Sequence, residues 1–66
     1  MNPTKGRVVY YRENGEEYAA RVAFVNEDGT VNLAVDAHHG ASSFGRQSIS
    51  QGDADGQWYW PPRVQA

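Results

Sequence analysis

The chain has 66 residues, no cysteine and a formal net charge of −2 at pH 7. Without cysteine it can form no disulfide and offers no thiolate to zinc. Six Lys and Arg residues against eight Asp and Glu argue against general nucleic-acid binding, because such surfaces gain affinity from a surplus of basic residues. A chain this short buries only about 60% of its unfolded surface, so barrel closure, oligomerisation or a larger assembly would have to add stability.

Membrane insertion and export are also disfavoured. No apolar run approaches the ~18 residues that a membrane-spanning helix needs. Residues 1–5 lack the apolar core of a signal peptide. We therefore expect a cytoplasmic protein with no membrane partner.

Turn signals occur at regular intervals along the chain. They separate short apolar stretches and are Asn14-Gly15, Asp28-Gly29, His39-Gly40 and the glycine-bounded loop 52–56. Asn-Gly and Asp-Gly tolerate positive φ and are strong hairpin signals. The spacing predicts an antiparallel β meander in one domain over 1–66, with an ordered core at about 5–61 and a flexible C-terminal tail.

The first two stretches, 7–12 and 18–25, are rich in residues that suit β-strands. In the second, the face without Arg21 is the better core face, and it comprises Tyr18, Ala20, Val22 and Phe24. Three alanines make a helix the alternative there. Turn signals on both flanks favour a strand.

The third stretch, 30–36, alternates strictly and predicts a strand that buries Val31, Leu33 and Val35. After a polar loop at 37–43, the remaining stretches are shorter. Residues 44–49 predict a weaker strand in which Gly45 suggests a β-bulge.

Residues 57–60 predict the last strand, which Pro61-Pro62 ends because proline cannot donate to a ladder. Five short strands joined by tight turns fit a small all-β, five-stranded barrel.

The first half of the chain carries three ordered groups of positions: Gly6, Val8, Val9 and Tyr11, then Glu17, Tyr18, Ala20, Arg21 and Val22, then Asp28, Gly29, Val31, Leu33 and Val35. In this order they resemble the SH3-like barrels of the Tudor and KOW kind. The resemblance implies an SH3-like barrel built as an antiparallel meander. The Tudor kind also invites an aromatic cage for a methylated cation, but in so short a chain most rings must serve the core first.

A second resemblance spans nearly the whole chain. The 18–25 strand, Val31-Asn32-Leu33-x-Val35, Gln51-Gly52-Asp53 and the ending Trp58-x-Trp60-Pro61 are similar to small bacteriophage and prophage proteins of unassigned role. It implies a phage origin and a location in the bacterial cytoplasm or in the virion. It implies no chemistry.

Metal binding and catalysis find little support. His38 and His39 are adjacent, and adjacent residues of a strand point to opposite sides. Serines near them have no group that would fix a catalytic pairing, and the acidic loop 52–56 lacks the length and ligand count of a calcium loop. We therefore expect no enzyme activity, no metal and no cofactor.

The ending Trp58-Tyr59-Trp60-Pro61 is the most informative short stretch. Trp and Tyr are enriched at binding hot spots, because they bury large areas and keep a polar group. Alternatively, Trp58 and Trp60 cap the open end of a small barrel. Both hold if a tryptophan faces inwards and Tyr59 faces outwards.

Arginines next to aromatic rings form the other candidate site. If the first two strands pair, Arg7 or Arg12 can lie near Arg21, and arginines beside rings bind nucleotides or acidic proteins. Tyr11 and Arg46 complete the candidate binding residues. The alternative is a set of ordinary surface ion pairs with Glu16, Glu17 and Glu27.

These observations favour a non-catalytic binding module, either a structural or assembly component or an accessory factor that binds a phage or host protein. An anti-defence protein that binds a small nucleotide signal or a host factor is the alternative. Nucleic-acid binding through the barrel face is disfavoured by the acidic balance. A homo-oligomer is compatible with all of these functions.

Overall fold

A computed structural model describes residues 2–62, and within them it contains five β-strands and no helix. The strands are β1 (Val8–Glu13), β2 (Glu16–Val25), β3 (Val31–Asp36), β4 (Ser43–Ile49) and β5 (Trp58–Tyr59). The all-β prediction is confirmed, and β2 is a strand throughout. The predicted flexible tail beyond 62 lies outside the described residues. Nothing in the described part of the chain forms a helix long and apolar enough to span a membrane.

The strands form one antiparallel sheet in the order β4-β3-β2-β1-β5. The sheet is not closed into the expected barrel, because the edge strands β4 and β5 do not pair with each other. The segment that follows β4 also reaches β5, through an isolated parallel bridge between Gln51 and Trp58. Trp58 N donates to Ser50 O at 3.0 Å, and Gly52 N donates to Trp58 O at 2.8 Å.

The core lies on one face of the curved sheet. The strict alternation of β3 is confirmed, since Val31, Leu33 and Val35 are all buried. Six more buried residues complete this cluster: Val9, Tyr11, Ala20, Val22, Ile49 and Trp58. The five strands therefore share one apolar face and leave the other face to solvent.

The β1–β2 turn forms as its two residues predict. Asn14 and Gly15 both have positive φ, 54° and 77°, between the paired residues Glu13 and Glu16. Two central residues with positive φ identify a type I′ hairpin, whose twist matches that of the flanking strands. This turn sets the register of β1 against β2.

A β-bulge in β2 makes the prediction for Phe24 wrong. Val22 lies opposite Leu33 but Phe24 lies opposite Asn32, so Ala23 is an extra residue in the ladder. The bulge reverses the alternation after Val22. Phe24 is therefore 52% exposed, and Val25 packs against the core in its place.

A second irregularity, in β4, lies beyond the predicted position at Gly45. Gly45 keeps regular register with Ala34, and the shift occurs later, where Gln47 and Ser48 together face Asn32. Ser48 adopts a positive φ of 57°, and its N–H donates to Asn32 Oδ1 at 3.0 Å. The side-chain amide of Asn32 thus supplies the acceptor that the interrupted ladder no longer offers.

Candidate functional site

The face of the sheet opposite the core carries an aromatic and charged group where β1 meets β5. Along β1, Val9 and Tyr11 face the core, so Val8, Tyr10 and Arg12 face outwards. Tyr59 of β5 lies opposite Tyr10 in the ladder and faces the same way. We call Val8, Tyr10, Arg12 and Tyr59 the outer surface.

The rings of the outer surface are packed against each other. Tyr10 and Tyr59 meet edge to face, with centroids 5.8 Å apart and an interplanar angle of 81°. The guanidinium carbon of Arg12 lies 5.6 Å from the centroid of the Tyr59 ring, and Nη2 donates to the Tyr59 hydroxyl at 3.4 Å. A cation–π contact and an edge-to-face pair hold the three side chains in one arrangement.

Glu17 completes the polar contacts of this surface. The Tyr59 hydroxyl donates a hydrogen bond to Glu17 Oε2. This bond, and secondly burial, raises the pKa of Tyr59 above its ordinary value of 10.0, so the hydroxyl remains a donor at neutral pH. Glu17 lies directly opposite Arg12 in the β1–β2 ladder, yet its carboxylate accepts the hydrogen bond from the tyrosine hydroxyl and forms no ion pair with the arginine.

One hydrogen-bond donor of the Arg12 side chain has no acceptor. Its Nε is buried and has no hydrogen-bond partner. Its backbone is fixed on the β5 side, where Arg12 N donates to Gln57 O at 3.1 Å and Gly56 N donates to Arg12 O at 2.7 Å. The side chain is therefore oriented by the sheet and by the Tyr59 ring.

The other predicted binding residues lie elsewhere. Trp58 is 1% exposed and Tyr11 is buried, so both belong to the core and present no surface to a partner. Trp60 is half-buried against Trp58, with ring centroids 5.1 Å apart, and Pro61 follows it half-buried. Trp58 thus faces inwards and Tyr59 faces outwards, which is the arrangement in which core packing by a tryptophan and a binding role for Tyr59 are compatible.

Of the predicted arginines, Arg12, Arg21 and Arg46 do not gather into one cluster, whereas the backbone of Arg7 lies next to that of Arg21, since Arg7 O accepts from Val22 N at 2.9 Å. Arg21 lies opposite Val8 and pairs with Asp36 at 3.8 Å, whereas Arg12 lies four ladder positions away opposite Glu17. Arg46 lies on β4 and pairs with Glu13 of β1 at 2.8 Å. The strand register separates these cations.

A second aromatic group, which the sequence pattern does not predict, forms at the β3–β4 end of the sheet. Tyr18 stacks on His38 with centroids 4.3 Å apart and meets Phe44 edge to face at 5.8 Å. The Arg46 guanidinium lies 4.6 Å from the Phe44 centroid, and His38 Nε2 lies 2.9 Å from Glu16 Oε1. The ring faces at this end are thus already in contact with groups of the chain itself.

The two adjacent histidines diverge. His38 lies against Tyr18, and His39 Nδ1 accepts a hydrogen bond from Ala41 N at 3.0 Å. Between residues 2 and 62, no group of three or more His, Cys, Asp or Glu side chains has the arrangement that could hold a metal ion.

Comparison of the chain with protein-family models, with curated proteins and with solved structures gave no match.

Proposed function

We propose that this chain is a non-catalytic binding module that recognises a protein partner through the outer surface. The observation that carries the proposal is the packed group of Tyr10, Arg12 and Tyr59 on the face opposite the core. These side chains are not part of the core cluster, so the core does not explain their packing. Tyrosine and arginine are among the residue types that dominate the energetics of protein interfaces.

The arrangement suits binding because it is already ordered. The rings are held by their mutual contact and by the pairing of their strands, β1 and β5, so little side-chain freedom is lost when a partner binds. Val8, 55% exposed, extends the apolar part of the same face along β1. A partner would bury two rings and an aliphatic side chain around one guanidinium.

The biological setting belongs to the same proposal. The aromatic-proline ending and the strand pattern support a phage or prophage origin and kinship with SH3-like domains. We propose that the protein acts as a structural or assembly component or as an accessory factor, in the host cytoplasm or in the virion. Its partner is then a phage structural protein or a host protein.

The test places a photo-crosslinking amino acid at Tyr10 in the protein produced in its native host. We expect a crosslinked protein that is lost when Tyr59→Ala is added. The matched control carries the crosslinker at Gln47, which is exposed on β4 at the other edge of the sheet. Equal crosslinking at both positions, or none at Tyr10, would contradict the proposal.

A second candidate function is sequestration of a small nucleotide signal, as an anti-defence protein would require. It is favoured by one observation, the guanidinium of Arg12 held against the Tyr59 ring. Stacking on aromatic rings beside an arginine is a common way to bind nucleotides. Native mass spectrometry of the protein as purified tests it: an adduct of nucleotide mass that Arg12→Gln removes would favour it, and a bare protein would favour the protein partner.

A further inference from the structure

We propose that Arg12 is the specificity-determining residue of the outer surface and that it binds a carboxylate of an acidic partner segment. This inference rests on the proposed protein-binding function and adds the chemistry of the partner.

The first support is that Arg12 lacks the anionic partner that comparable arginines have. Arg21 pairs with Asp36, and Arg46 forms two hydrogen bonds with Glu13. Among the described residues, no carboxylate lies within ion-pair distance of Arg12. Its polar contact is a long one, 3.4 Å to the Tyr59 hydroxyl, and its buried Nε has none.

The second support is that Glu17 is kept from Arg12 by another residue. Side chains directly opposite in an antiparallel pair have Cβ atoms about 5 Å apart, so Glu17 is within reach of the Arg12 guanidinium. The Tyr59 hydroxyl instead engages Glu17 Oε2. Tyr59 is therefore a positioning residue that leaves the outward edge of the arginine to an incoming group.

The third support is that a carboxylate suits the site better than a phosphate. Proteins that bind phosphate groups tightly gather several cations, whereas the register places Arg21 four ladder positions away from Arg12. A net charge of −2 also opposes a dianion more than a monoanion. The flanking Tyr10 and Tyr59 rings offer apolar contact to the residues beside an Asp or Glu side chain.

The experiment selects binders from a random-peptide display library against the intact protein. The selected peptides are then measured against the wild type, Tyr10→Ala, Arg12→Gln and Arg21→Gln. We expect the selected peptides to carry Asp or Glu and to bind Tyr10→Ala much more weakly than the wild type. Arg12→Gln should weaken them about tenfold, in keeping with the loss of a charge-assisted hydrogen bond. The matched control, Arg21→Gln, removes the same charge from the same face and should change affinity little.

A second set of variants tests the role of Tyr59. Tyr59→Phe keeps the ring and removes the hydroxyl that engages Glu17, so Glu17 becomes free to pair with Arg12 and compete with the peptide. We expect weaker binding in Y59F and recovery when Glu17→Gln is added to it. A merely structural role of the hydroxyl predicts no recovery, because Glu17→Gln restores no lost contact.

The outcomes separate this inference from the proposed function. Peptides that need Tyr10 but show no acidic preference and bind R12Q normally would overturn the inference and leave the protein-binding function standing. A selection that yields no peptide dependent on Tyr10 would contradict both. Inorganic phosphate that displaces the peptides at lower concentration than acetate would also overturn the carboxylate assignment.

Discussion

Arg46 and Glu13 join two strands that are not neighbours in the sheet. Arg46 Nε donates to Glu13 Oε1 at 2.8 Å and Nη2 donates to Oε2 at 3.0 Å, across the space spanned by β2 and β3. The Tyr11 hydroxyl donates to the same carboxylate at 2.8 Å. In a sheet that does not close through its backbone, this pair holds β1 and β4 towards each other.

The Arg46–Glu13 pair should make the free energy of unfolding depend on pH in the acidic range. The hydrogen bonds from Arg46, then that from Tyr11, lower the pKa of Glu13 below its ordinary value of 4.5. The stabilisation is therefore complete at pH values above the ordinary pKa of Glu13 and is lost as the pH falls through its lower pKa in the folded state. We expect Glu13→Gln to be less stable than the wild type at pH 7 and the difference to shrink in acid.

Urea unfolding followed by tryptophan fluorescence over a pH series measures this difference. Glu27→Gln, an exposed carboxylate near the β2–β3 turn, is the control. A difference between E13Q and the wild type that stays constant down to acidic pH would show that the charge of Glu13 contributes nothing.

Trp58 should be essential to the fold. It is the largest of the fully buried side chains, and truncation of a buried Trp to Ala costs about 3–5 kcal/mol. The whole stability of a chain this size is about 3–10 kcal/mol. We expect Trp58→Ala to be largely unfolded by circular dichroism, and Trp60→Ala, half-buried, to remain folded with a lower Tm. A cooperative, native-like W58A would contradict this.

Two glycines should respond to alanine with opposite signs. Gly15 has positive φ in the hairpin turn, where a Cβ costs about 1 kcal/mol. Gly45 has ordinary strand conformation, and a Cβ there meets nothing within 4 Å. We therefore expect Gly15→Ala to destabilise the protein and Gly45→Ala to stabilise it by about 0.5 kcal/mol. Equal changes in the urea midpoint would contradict the assigned turn.

Because of the bulge in β2, truncation of Val22 to Ala should destabilise the protein more than truncation of Phe24, although Phe24 is the larger side chain. Val22 is buried, and removal of its two methyl groups should cost about 2 kcal/mol. Phe24 is the larger side chain but is half-exposed, and Phe24→Ala should cost less than about 1 kcal/mol. Chemical denaturation of the two variants measures the ranking. A greater loss in F24A would place Phe24 in the core.

Features that depend on neighbouring residues could be predicted from the sequence. The alternation of β3 predicts which of its residues are buried, because one face of a strand meets the core and the other meets water. Asn14-Gly15 predicts the hairpin, because few other pairs adopt two positive φ angles. The alternation at the chain end predicts that Tyr59 lies on the opposite side of the strand from Trp58 and Trp60, and the pairing with β1 turns Trp58 towards the core.

Other features were decided by the tertiary structure. Phe24 continues the apolar alternation of β2, and only the pairing with β3 reveals the bulge that turns it outwards. The sequence alone is compatible with clustered or with separated arginines. The strand register places Arg12 opposite Glu17 and brings Arg46 against Glu13, 33 residues away. Local sequence specifies conformation and facing, whereas contacts between distant residues depend on register, which is fixed when all the strands pack together.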